Sequence, residues 1–161
     1  MIIAGIDPGS NVTGYSFIKI NERDQNRPQV LEYGVIRSRP KESLPQKLDR
    51  IHQTLTHLFS QYQPSHMALE SAFVAKFPQA ALILGHTRGA IMVAAMALQI
   101  EIFEYEPRLI KKASTGSGAA SKDQVAEMVQ KHYQLKSIPT PSDAADALAI
   151  AYCHLLHARL I

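Results

Sequence analysis

Four acidic residues stand where acids are costly. Asp7 ends the apolar run IIAGID, and Glu70 ends a second one, HMALE. Asp143 and Asp146 lie three apart at the start of an alanine-rich stretch, SDAADALAIAY. An ionised carboxylate at the end of a buried strand needs a cation, a metal or a turn to satisfy it. Asp-Pro-Gly at 7–9 is ordinary turn sequence as well, so Asp7 alone supports either a turn or a ligand. Spacing of three puts Asp143 and Asp146 on one helical face, where like charges repel. A helix N-terminus offsets part of that through its dipole. The rest of that helix is almost wholly apolar, however, and a buried helix that directs two acids inward calls for a cation. Four carboxylates offer all-oxygen ligation, which suits Mg²⁺ or Mn²⁺ rather than zinc. The seven histidines are scattered, and no His/Cys grouping has zinc spacing. Such a set can hold two divalent ions about 4 Å apart, an arrangement suited to in-line displacement at a phosphodiester.

The elements that must position these acids follow from the pattern of the chain. Ile2 to Asp7 suits a central strand buried on both faces. Tyr15 to Ile20 and Gln29 to Arg37 read as two further strands, with the polar stretch NERDQNRP as the turn between them. Leu44, Leu48, Ile51, Leu55, Leu58, Phe59 and Tyr62 recur at helical spacing behind a Ser43-x-x-Gln46 capping box. His66 to Glu70 is a short strand, Pro78 to Leu98 a helix and Glu101 to Tyr105 a fifth strand. Ser121-x-x-Gln124 caps another helix, and the last starts near Ser142 and runs to the C-terminus. Three leading strands followed by alternating helices and strands imply an α/β domain with a mixed sheet covered on both faces.

The 161 residues, 46% hydrophobic, suffice for one domain with a substantial core, and neither a repeat nor a linker divides residues 1–161. A single cysteine, Cys153, forms no internal disulfide, which fits a reducing compartment. Ile2 to Ile6 lacks the basic flank and the small-residue cleavage site of a signal peptide. The longest apolar run, Ala90 to Leu98, falls far short of the roughly 20 residues of a membrane span. A soluble, cytoplasmic protein is therefore expected. The net charge of +3 is by itself a weak pointer to nucleic acid.

The segments GIDPGSNVTGY (5–15), ALESAFVAK (68–76), LGHTRGA (84–90) and SDAADALAIA (142–151) together resemble the RuvC family of Holliday junction resolvases. The resemblance covers nearly the whole chain in the family's order and spacing. Single elements such as Asp-Pro-Gly are common, whereas all four together are specific. The resemblance implies a ribonuclease H-like fold with a five-stranded mixed sheet, its three leading strands antiparallel, flanked by helices. It implies a homodimer that nicks two opposed strands of a four-way DNA junction symmetrically, leaving 5′-phosphate and 3′-hydroxyl ends. Mg²⁺ is the implied cofactor, with Mn²⁺ as a substitute and two ions per site, and no nucleotide is required. A branch-migration complex of the RuvAB type is an implied partner. Matched by motif, Asp7, Glu70, Asp143 and Asp146 are the catalytic and metal-binding acids; which of Asp143 and Asp146 binds metal more directly stays open.

Lys111, Lys112 and Lys122 flank the stretch ASTGSGAAS, which by composition alone reads as a solvated loop. The resemblance favours binding of backbone phosphates there, through Lys111 and Lys122. Phe73, three residues after Glu70, would ordinarily be core, but in the family an equivalent Phe stacks on a base at the junction centre, a contact worth about 1–3 kcal/mol. Lys76, nearby in sequence, is a candidate phosphate contact. Ser71-Ala72 and Phe77-Pro78 depart from the family pattern and bear on local junction contacts and sequence preference, not on the chemistry. Arg88 stays open between structure, dimer contact and DNA. The helix from Pro78 carries small and apolar residues on more than one face, which permits either a helix-mediated dimer or burial under the sheet.

Three other readings compete. Actin-like ATPases and sugar kinases also end a first strand on Asp before a Gly-rich turn, but they use two such domains, and this chain has no second Asp-Gly loop and no adenosine-binding glycine pair. A junction-binding protein without activity would be expected to lack one of the four acids. A ribonuclease H or RNA-directed nuclease shares the metal chemistry and differs in substrate.

Overall fold

The apolar run that ends on Asp7 forms β1 (Ile2–Asp7), and its four inner residues are fully buried. It lies at the centre of the sheet, paired antiparallel to β2 (Val12–Asn21) and parallel to β4 (His66–Glu70). β3 (Asp24–Arg37) extends one edge and β5 (Glu101–Tyr105) the other, giving the order β3-β2-β1-β4-β5. The helices are α1 (Leu44–Tyr62), α2 (Pro78–Met96), α3 (Pro107–Thr115), α4 (Lys122–His132) and α5 (Ser142–His157). The computed structural model describes residues 1–21, 24–71 and 77–160. Among them no helix is long and apolar enough to cross a membrane.

Alternation along the strands splits the core in two. Ala4, Ile6, Met67 and Leu69 face α1 and α2, while Ile3 and Ala68 face α3, α4 and α5. A strand turns successive side chains to opposite faces, so Asp7 and Glu70, each following a residue of the α1/α2 face, point toward the α5 side. Both capping boxes form as expected. The Ser43 N–H donates to Gln46 Oε1 at 2.8 Å, and Ser121 Oγ accepts from the Gln124 N–H at 3.2 Å.

Two expectations about elements are corrected. NERDQNRP is not simply a turn, because β3 begins at Asp24 and pairs with β2 as far as Asn21. Backbone pairing of an antiparallel hairpin tolerates polar side chains. The register shift between Lys19 and Asn21 lies opposite Pro28, on an edge strand where proline is allowed. Secondly, Lys111 and Lys112 do not flank a loop but ride on α3, a nine-residue helix. Pro107 opens it, and Gly116 ends it with φ of 81°, a left-handed conformation that suits glycine.

α5 lies against the sheet at glycine distance. Ser16 Oγ donates to the Ala147 carbonyl at 3.0 Å. A Cβ built on Gly5 would overlap that same carbonyl oxygen and come within 2.8 Å of Ala151 Cβ, and one on Gly14 would overlap the Asp143 carbonyl. Overpacking of this kind costs typically about 1–3 kcal/mol. Gly5→Ala is expected to lower stability by at least that amount in urea unfolding, with the slope of the transition unchanged; a loss below about 0.5 kcal/mol would show that α5 moves off the strand freely.

Candidate active site

Asp7, Glu70 and Asp146 open onto one cavity of about 260 Å³ at the C-terminal ends of β1 and β4. Lys111 of α3 and Lys122 of α4 line it too, over an apolar floor that includes Ile110, Val125 and Ile150. Parallel strands carry ligand sites at this edge. Each acid has its own positioning element. Asp7 ends β1 opposite Gly14, Glu70 ends β4 opposite Tyr105, and Asp146 comes from the second turn of α5.

Asp143 does not line this cavity. Its carbonyl sits over Gly14, on the β2 side of Asp7, whereas Asp146 faces β4 and α4. The helix rotates 100° per residue, so a spacing of three keeps the pair on one face of α5 but not over the same strand. Only three of the four expected acids line the cavity, and the charge of Asp143 also bears on Asp7 and Lys122. Nor do the three converge fully: among the described residues no group of three His, Cys, Asp or Glu side chains stands close enough to grip one ion. Lys122 Nζ of α4 pairs with Asp146 at 2.8 Å. Phe73 and Lys76 lie outside the described residues.

Burial and mutual repulsion leave the site short of positive charge. Asp7 is pushed up from 3.8 to about 7, first by burial, then by the charges of Asp146 and Glu70. Glu70 is raised by burial and by Asp146, against the opposing pull of Lys122, Arg88 and Lys111. Lys122 is held above its ordinary value by its bond to Asp146. An all-oxygen donor set with so much unneutralised charge fits a hard divalent cation, whose own charge would reverse these shifts.

Sequence reasoning missed a second polar cluster, behind β5. His154 of α5 is fully buried; its Nε2 lies 2.9 Å from His66 Nδ1 and its Nδ1 lies 2.8 Å from the Tyr105 hydroxyl. Burial lowers His154 to about 4 and keeps the ring neutral. The signal was a lone His on the inward face of an apolar helix.

A family model described as Crossover junction endodeoxyribonuclease RuvC matches residues 3–154. This chain belongs to the RuvC family. It is 44% identical to the Crossover junction endodeoxyribonuclease RuvC of Chlorobium phaeovibrioides, over 97% of this chain and 82% of that one. With the RuvC of Magnetococcus marinus the identity is 47%, over 95% and 83%. The solved structure of Thermus thermophilus RuvC in complex with Holliday junction substrate superposes with a TM-score of 0.91 at 33% identity, covering 99% of this chain and 95% of that one. The ribonuclease H-like architecture expected of a RuvC chain is the one found.

The electrostatics give a pH signature for the metal-free protein. Because the folded pKa of Asp7 lies above its unfolded value, its penalty is absent below about pH 3.8, grows as the pH rises and is complete above about 7. At ~1.4 kcal/mol per pK unit the gap is of order 4 kcal/mol. His154 tilts the curve oppositely: its contribution is complete above 6.5 and is lost as the pH falls toward about 4. In EDTA, Asp7→Asn is therefore expected to be more stable than wild type at about pH 8 by a few kcal/mol, with the advantage shrinking toward zero near pH 4. Equal melting temperatures at pH 8 would show that Asp7 carries no such burden.

Proposed function

We propose that this chain is a homodimeric, divalent-metal-dependent endonuclease that resolves four-way DNA junctions by paired symmetric nicks, with Mg²⁺ as the metal. The observation that carries this reading is the cavity in which desolvated Asp7, Glu70 and Asp146 face two lysines, in a chain whose Thermus relative was solved with a Holliday junction. Asp7, Glu70 and Asp146 are the residues that would hold metal, with Asp143 as an outer acid beside Asp7. Bound there, Mg²⁺ supplies charge neutralisation at the scissile phosphodiester and a water that ionises more readily.

The protein's own part is positioning. The three carboxylates, fixed to two strand ends and one helix, open onto one cavity. Lys111 and Lys122, on separate helices at the rim, draw the backbone phosphate toward it. Cleavage with the leaving group on the 3′-oxygen yields a 5′-phosphate and a 3′-hydroxyl that ligase can seal. Phe73 and Lys76, in the segment following Glu70, supply the stacking and phosphate contacts at the junction centre.

Two strands must be cut together, which requires two sites related by a two-fold axis. α2 presents the face for this. Leu82, Val93 and Met96 are each about 60% exposed along one side, and a Cβ on Gly85 or Gly89 of the same side would meet no neighbour among the described residues. An apolar helix face of this kind packs well on a second copy of itself. A RuvAB-type branch-migration complex would deliver the junction to that dimer.

The deciding experiment compares a labelled four-way junction, a linear duplex of the same sequence and an RNA–DNA hybrid, in Mg²⁺ or EDTA. Paired ligatable nicks on the junction alone, dependent on metal, are expected. Asp7→Asn and Glu70→Gln should each lose at least about 100-fold in cleavage rate while junction affinity stays within about threefold. Lys111→Ala and Lys122→Ala should each flatten the dependence of log K on log salt by about one unit. Cleavage of the hybrid in preference would make the protein a ribonuclease H, and binding without nicks even in Mn²⁺ would leave a junction-binding role.

A further inference from the structure

Arg88 has no place in the site as described, yet it is bonded to it from behind. It sits on the inner side of α2, 7% exposed, so little of its side chain is open to solvent. A buried guanidinium requires partners for its charge and its donors. Among the described residues Arg88 has two: Nη1 donates to the main-chain carbonyl of Glu70, and Nη2 donates to the Glu104 carboxylate of β5. The residue after Glu70 is tied from the other side, since the Ser71 N–H donates to the Tyr105 carbonyl at 2.9 Å.

The two faces of the sheet make the role specific. Glu70 turns its carboxylate toward α5 and the cavity, while Arg88 approaches from the α1/α2 layer. The guanidinium therefore touches neither the reacting atoms nor the metal-holding oxygens of Glu70. It holds the peptide from which the Glu70 side chain departs, at the point where β4 leaves the sheet and ladder bonding stops. It also adds positive charge near a carboxylate that is otherwise underneutralised. α2 is the helix whose opposite side carries exposed Leu82, Val93 and Met96.

The geometry points to Arg88 as a positioning residue that clamps the end of β4 to α2, so that the placement of Glu70 depends on how the dimer helix is seated. This rests on the junction-cleaving reading for its consequence and on the bonds alone for the clamp. Removing the clamp should leave substrate binding nearly intact and slow the chemical step. A side chain that merely fills space would be replaceable by one of similar volume.

The test uses full-length Arg88→Gln, Arg88→Lys and Glu104→Gln with two readouts. One is amide hydrogen exchange across residues 66–71; the other is single-turnover cleavage of a saturating four-way junction, with affinity and oligomeric state measured alongside. Arg88→Gln is expected to exchange at least about 10-fold faster at Glu70–Ser71 than wild type, with β1 and β2 unaltered. It should cut 10- to 100-fold more slowly with junction affinity within about threefold. Arg88→Lys, which keeps charge and one donor, should recover part of the rate, and Glu104→Gln should slow it by about 3- to 10-fold. Folded Arg88→Gln that cuts within twofold of wild type with unaltered exchange overturns the clamp. So does a rate loss matched by an equal loss of affinity. If Arg88→Gln does not fold, unaltered exchange and rate in Glu104→Gln overturn it instead. Wild-type protein that cuts no junction overturns the functional reading, while the exchange experiment still judges the clamp.

Discussion

A helix backbone pressed against two glycines sets the rest of the structure. α5 meets β1 and β2 at Gly5 and Gly14, and the Ser16 hydroxyl fastens to the Ala147 carbonyl. Nothing larger than hydrogen fits at those two positions. The small residues of α5, Ala144, Ala145, Ala147, Ala149 and Ala151, are the other half of the contact. This approach fixes the axial position and the rotation of α5, and with them the direction in which Asp146 points. A helix held farther out, as ordinary side chains would require, could not bring a carboxylate from its second turn to the end of β1 and β4.

The site that results is electrostatically unfavourable to the protein alone. Burial and like charge act in the same direction on Asp7 and Glu70, and Lys122 answers only part of that by pairing with Asp146. Such an arrangement lowers the stability of the metal-free protein, and it places the cost at the sheet edge where strand pairing is already ending. The buried His154, held between His66 and Tyr105, belongs to the opposite logic: a fully partnered polar group that stiffens the packing of α5 on β4 and β5.

Much of this was legible in the residues. An apolar run that stops on an acid gives a strand end and a candidate ligand together, and alternation decides which face the acid takes. That reasoning put Asp7 and Glu70 at strand ends and found the five strands, while their order in the sheet came from the structure. It failed where distance rather than pattern decides. Asp143 and Asp146 have identical local credentials, and only the seating of α5 on Gly5 and Gly14 decides that Asp146 lines the cavity while the Asp143 carbonyl lies over Gly14. α3 escaped notice because nine residues ending in Ala-Ser-Thr before a glycine-rich stretch look like loop, although Pro107 and Gly116 bracket a helix. The polar hairpin strand was hidden because its stabilisation comes from backbone pairing with β2, not from its side chains. Arg88 was undecided for a related reason: its partners are a main-chain carbonyl 18 residues earlier and a carboxylate on a neighbouring strand, and no spacing announces either.

The central claim is that Asp7, Glu70 and Asp146 form one divalent-cation site. Anomalous scattering from crystals of the protein grown with Mn²⁺ tests it most directly. The account predicts a peak in the cavity within coordination distance of Asp7 and Asp146, with Glu70 at the same site, Lys122 released from Asp146 and Asp143 outside the coordination shell. A cavity without a peak at saturating Mn²⁺, or a peak held by other residues, would contradict it.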